Sequence, residues 1–419
     1  MSRKKIIATE FRCWLVVALW IVILFLTIPL ARTLQGYIRS AFGDHAFGYI
    51  VITIIVISTL LLFVRIKHTT IKLKPKNIIW ILLCAAFLVA YTLSLWSNPV
   101  EAIHFIQYGV LAIFLFHALS WRHPNTLIYI AIVLAAASVG IIDETLQWLM
   151  PNRVWGLDDI GINIMAAIVV CVAIAKGIQP KVINRPINSH SVQLVLWLAI
   201  FCLSLLIFSF ANTPDTINWY SKKISPLSFL SHNGHIMSEY GYRYKDEEIG
   251  LFRSRFSPNE LKQHDRKYAV DAAQKLDAAP FLDDYKEFIT RYSPMTNSFL
   301  HELRVHLNRR DYYLKTGKQT KRYSSVEQQR RLKIAYFENK IVEKYFPSTL
   351  KKSSFTLNQK DSLLMKNSIN SASYYESPVS QSLITVLSKK QLLSLLIVTL
   401  LGLLVLRVKL KTRFNYGSL

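Results

Sequence analysis

Eight uninterrupted apolar runs constrain this chain of 419 residues more than any other feature. They cover 13–30, 47–64, 78–97, 102–119, 126–146, 159–175, 192–211 and 391–406. At about 1.5 Å per residue, each crosses or nearly crosses a hydrocarbon layer roughly 30 Å thick. The implied fold class is all-α: a polytopic membrane helix bundle of about eight transmembrane helices. The run at 13–30 follows Arg3, Lys4, Lys5 and Arg12, as a signal peptide would. It is long and no A-x-A cleavage pattern follows it, so it reads as a retained span.

Basic residues set the expected orientation. With the N-terminus in the cytoplasm, seventeen lysines and arginines fall in inner segments, and only Arg32, Arg39 and Arg153 fall in the short outer loops. That positive-inside bias predicts N-in and C-in, with 212–390 outside the cytoplasm. Lys389 and Lys390 oppose it mildly.

The expected organisation is two transmembrane helices in 1–77, a four-helix membrane core in 78–180 and a seventh helix in 181–211. An extracytoplasmic, mainly helical domain occupies 212–347, and 391–419 holds the last span with a basic tail. Within the polar domain, 212–256 is turn-rich without a clean period. Ser257, Pro258 and Glu260 then form a capping-box start for a helix to about 276. Further helices are expected over 280–292, 296–315 and 324–346. Residues 348–390, rich in Ser, Asn and Lys, read as a flexible tether.

The formal charge is +24, which raises the question of nucleic acid. Membrane proteins carry basic loops for topological reasons, and a domain outside the cytoplasm meets no nucleic acid, so that partner is excluded. The basic run 304–331, interleaved with Tyr312, Tyr313 and Tyr323, reads as a solvated helix face, with attraction to anionic lipid head groups as the alternative. Cys13, Cys84, Cys171 and Cys202 lie in apolar runs without metal-ligand spacing and read as small apolar fillers.

Function is expected around 139–169. Outside 212–390 the chain has seven acidic residues, and Asp143, Glu144, Asp158 and Asp159 are four of them. An ionisable group near mid-membrane costs roughly 2.5–3.5 kcal/mol on insertion scales, so it needs a reason to be there. The predicted topology brings His104 and Tyr108, four apart at the start of one span, to the same surface as Glu144 and Gln147, three apart at the end of another. Arg153 lies in the connecting loop, and Asp159 and Asn163 open the next span. Three readings fit: a structural cluster in which Arg153 pairs an acid to lock the loop, a site for a phosphate or carboxylate head group, and a metal or acid–base site using His104, Glu144 and Asp159.

In this order and spacing, residues 78–175 resemble the VanZ-like family of bacterial membrane proteins. The matching positions are His104 and Tyr108, Glu144 and Gln147, Arg153, then Asp159 and Asn163. Two positions depart: Glu101 stands where the family often has lysine, and Ala166 where it has glycine. The resemblance implies a multi-pass protein of the bacterial cytoplasmic membrane, with the seven motif residues as ligand-binding positions and no cofactor. It further implies binding or shielding of a lipid-linked envelope precursor or a glycopeptide antibiotic at the outer face, alongside membrane lipids. Two other classes stay open: an integral-membrane enzyme acting on an envelope lipid, and a sensor or assembly factor whose outer domain binds a protein partner.

Overall fold

A computed structural model describes residues 3–68, 74–150, 153, 155–231, 236–319, 322–369 and 374–416. The expected helix break at Pro151 and Asn152 lies outside them. The chain divides into a helix-bundle unit, 1–209 with 394–419, and a polar unit, 210–393.

In the bundle unit, α1 is Arg3–Phe42, α2 Ala46–Lys67, α3 Pro75–Ser94, α4 Ile103–Leu119, α5 Leu127–Trp148, α6 Leu157–Val172 and α7 Ser189–Ala211. A π-helical turn, Ala173–Ile178, extends α6, and the last helix is Lys389–Tyr416. Seven of these are long and apolar enough to cross a membrane, which makes this a multi-pass membrane protein. The eighth, α4, has 17 residues, about 25 Å of helix. It is cut short because 95–102 folds into successive turns instead of joining the helix.

Burial is uneven in a way the sequence explains. In their most apolar windows α5 is 56% and α6 50% buried, whereas the last helix is 0% buried. The small residues Ala135, Ala136, Ala137 and Gly140 on α5, and Ala166 and Ala167 on α6, let these backbones approach closely. α4, α5 and α6 pack on one another, and α1 lies along α4, with Trp20 Nε1 donating to the Gln107 carbonyl at 2.9 Å. The π-turn is held by Asn77, whose Nδ2 donates to the Lys176 and Gly177 carbonyls, each at 3.0 Å. The cysteines are unbridged, and Cys84, Cys171 and Cys202 are buried.

The polar unit begins with α8, Pro214–Ser221, and a 3-10 turn, Ser225–Ser231. An antiparallel hairpin follows, β1 Tyr242–Asp246 and β2 Gly250–Ser254, with Tyr244 opposite Phe252. Then come α9 Pro258–Asp277, α10 Tyr285–Arg291, α11 Pro294–Gly317, α12 Ser325–Tyr345, α13 Pro347–Lys352 and α14 Gln359–Lys366. The capping box expected from the sequence forms in full at Ser257 with Glu260, and Ser324, at the start of the helix expected over 324–346, accepts from the Glu327 N–H. The core joins Phe252 and Leu261 to Phe299, Leu303, Phe337, Ile341 and Phe346.

Two expectations fail here. The described residues of 348–390 do not form a flexible tether. Phe355, Met365, Tyr375, Val379 and Leu383 are buried, and backbone bonds at 2.8 Å (Leu251 N–H to the Tyr375 carbonyl, Ser377 N–H to the Leu251 carbonyl) add the segment to the hairpin. Gly250, at φ +107°, permits this approach, since a β-carbon there would lie 2.1 Å from the Tyr375 oxygen. Nor is 304–331 simply a solvated face. Arg304 and Arg310 are buried, donating to the carbonyls of Phe281 at 2.9 Å and Phe355 at 2.8 Å. The Arg331 guanidinium stacks 3.9 Å from the Tyr323 ring.

Candidate functional site

The polar residues of the bundle unit gather at the start of α4, the end of α5 and the start of α6. Asp143 is 5% exposed and Glu144 0%. Gln147, one turn on, donates from Nε2 to Glu144 at 2.7 Å, as the i, i+3 spacing requires. The Gly156 N–H donates to the other Glu144 oxygen at 3.1 Å and ties the α5–α6 loop back onto α5. Across the helices, the Tyr108 hydroxyl donates to Asp143 at 3.0 Å.

Asp158 and Asp159 occupy the first turn of α6, where the helix end favours negative charge. Asp159 and Glu144 flank one glycine: a β-carbon on Gly156 would lie 3.0 Å from Asp159 Oδ2 and 3.6 Å from Glu144 Oε2. Four residues deeper, Asn163 packs on Gly140, where a β-carbon would come within 3.0 Å of Nδ2. α5 thus supplies the glycine of this contact, while Ala166 is buried on α6.

Asn163 is 0% exposed and, among the described residues, neither of its amide atoms has a hydrogen-bond partner. His104 Nδ1 is also buried without one, with its ring 6.2 Å from that of Tyr108. An unmade bond of this kind costs about 1–3 kcal/mol per group. Packing alone gives no reason to keep three such atoms in the adjoining ends of α4 and α6.

Whereas the Gly156 N–H bonds to Glu144, Arg153 forms no ion pair within 4 Å among the described residues. Its charge acts over a longer range on Glu144, Asp143 and Asp159, and on His104. Partial burial and the neighbouring Arg32 lower its pKa from the ordinary value, against the pull of those three carboxylates. Glu101, held by Asn98 Nδ2 at 2.5 Å, and Asp158 add their charges beside Asp159. Carboxylates therefore outnumber cations. Among the described residues no group of three or more His, Cys, Asp or Glu has metal-holding geometry.

All seven expected residues lie at this end of α4–α6 or in its loop. Asp143 belongs with them, although adjacent helical positions point apart and only Glu144 of the two was expected in the cluster. The signal was the AAASVG stretch of 135–140, which marks a helix enclosed by neighbours and able to bury both acids. The Gly156 N–H, a backbone donor, leaves no signature in side-chain spacing. No family model, no curated protein and no solved structure matches the chain.

Proposed function

We propose that this is a VanZ-like protein of the bacterial cytoplasmic membrane. In this reading it lies N-in and C-in with α4 as a full span, its polar unit is extracytoplasmic, and the α4–α6 cluster is a binding site at the outer face. The positive-inside bias of seventeen to three supports the orientation. One observation carries the binding role: buried carboxylates adjoin an Asn163 amide and a His104 nitrogen that have no partner among the described residues. A ligand that supplies donors to the carboxylates and to Asn163 Oδ1, and an acceptor to Asn163 Nδ2, recovers the cost of leaving them unpaired.

The excess of acid over Arg153 disfavours a bare anion. It suits a ligand presenting ammonium, amide or hydroxyl donors beside a carboxylate that Arg153 meets. A lipid-linked peptide precursor of the envelope and a glycopeptide antibiotic both have that chemistry. The test is teicoplanin tolerance of a susceptible Gram-positive host expressing the chain. Wild type protects, while Glu144→Gln and Arg153→Ala, at matched membrane abundance, do not. Protection by both variants equal to wild type removes the cluster from the function.

A further inference from the structure

At the opposite end of α4 from this cluster, a groove of about 260 Å³ lies between α1 and α4, lined by Thr9, Arg12, Cys13, Val16, Phe114 and His117. Cys13, Val16 and Phe114 make apolar walls, and Arg12 and His117 set a cation and an imidazole at the rim. The neighbouring α1 residues Phe11, Trp14 and Leu15 are exposed, so this side of the helix faces the surrounding medium, which for such a helix is lipid.

The charge of Arg12 is unpaired among the described residues. The described residues of the bundle unit form two ion pairs, Arg39–Asp44 and Arg122–Glu10, and neither uses Arg12. Among the described residues Glu10 is the one carboxylate at this end of the helices, and it is already engaged by Arg122. Arg12 is exposed at the edge of this apolar groove, where the phosphate of an anionic head group complements its charge.

We infer that this groove is a site for one anionic glycerophospholipid. Its phosphate sits against Arg12 and His117, and an acyl chain lies along Cys13, Val16 and Phe114. A neutral lipid fills the same apolar walls but leaves Arg12 unmet, so head-group charge decides occupancy. The site is independent of the one at the other end of α4.

Native mass spectrometry of the full chain in uncharged detergent tests this, using phosphatidylglycerol and phosphatidylcholine of identical acyl chains. Wild type retains the first over the second by about fivefold, the usual worth of one basic residue near a lipid surface. Arg12→Gln brings the two to parity. Val16→Trp, which fills the groove, lowers retention of both, and Arg65→Gln, on α2, leaves the preference intact. Equal retention by wild type overturns the site, as does a preference that survives both Arg12→Gln and Val16→Trp. A loss in Arg65→Gln as large as in Arg12→Gln also overturns it, because the attraction is then diffuse.

Discussion

Glu144 in the bundle unit and Glu338 in the polar unit are both 0% exposed, yet their surroundings differ in kind. Glu338 accepts from His306 Nδ1 at 2.6 Å, Arg309 Nε at 3.0 Å, the Tyr375 hydroxyl at 2.6 Å and the Ser377 hydroxyl at 2.9 Å. Burial alone would raise its pKa, but His306, then Tyr375 and Arg309, hold it below the ordinary carboxylate range. Glu144 has one amide and one backbone N–H as donors, with Asp159, Asp143 and the more distant Arg153 as its charged neighbours. A carboxylate with four donors, two of them able to carry charge, knits α11, α12 and the 375–377 segment into one core. A carboxylate among other carboxylates, beside unpaired amide atoms, does little for the fold and suits a ligand.

The largest effect that separates the two is Glu338→Ala. It leaves His306, Arg309 and two hydroxyls without their acceptor and lowers the stability of the polar unit by about 3–5 kcal/mol, read by thermal unfolding of the full chain in detergent. Asp265→Ala comes next, at about 1–3 kcal/mol by the same measurement. Its carboxylate accepts from the backbone of Ser348 at 2.7 Å and Thr349 at 2.9 Å, capping α13 from α9.

Acid weakens the polar unit in two stages. Burial, then the Arg255 charge, lowers His301 from 6.5 to about 3, so the folded form keeps it neutral. The unfolded chain gains that proton from about pH 6.5 downward, and stability falls from there toward pH 3. The depressed Glu338 carboxyl adds a loss that begins near the ordinary carboxylate pKa and continues as pH drops through its lower folded value. Unfolding midpoints measured from pH 7.5 to 4 decline accordingly, and His301→Gln flattens the upper part of the curve.

The smallest stability effect belongs to Glu144→Gln. A carboxamide keeps the shape and gives up one of two accepted bonds, a change of about 0.5–1.5 kcal/mol. The same variant removes protection in the tolerance assay. A loss of stability as large as that of Glu338→Ala would erase the contrast between the two sites.

Much of this was legible in the chain. Apolar runs of span length oblige a helical bundle, because helix length and hydropathy are local properties. The starts at Ser257 and Ser324 were readable because a cap is a contact three residues long. Spacing alone placed Gln147 beside Glu144. The hairpin over 242–254 and the order of 348–390 were not readable, because the second is stabilised through Glu338, Leu251 and Gly250, about 40 to 130 positions away. Composition made that segment look like a linker, and long-range backbone pairing made it part of the core. Likewise, sequence fixed which polar residues share a helix face, but only packing decided that Asp143 meets Tyr108, that Gly156 holds Glu144, and that Asn163 has no partner. Those outcomes depend on how closely α4, α5 and α6 approach, and that distance is set by the glycines and alanines of all three together.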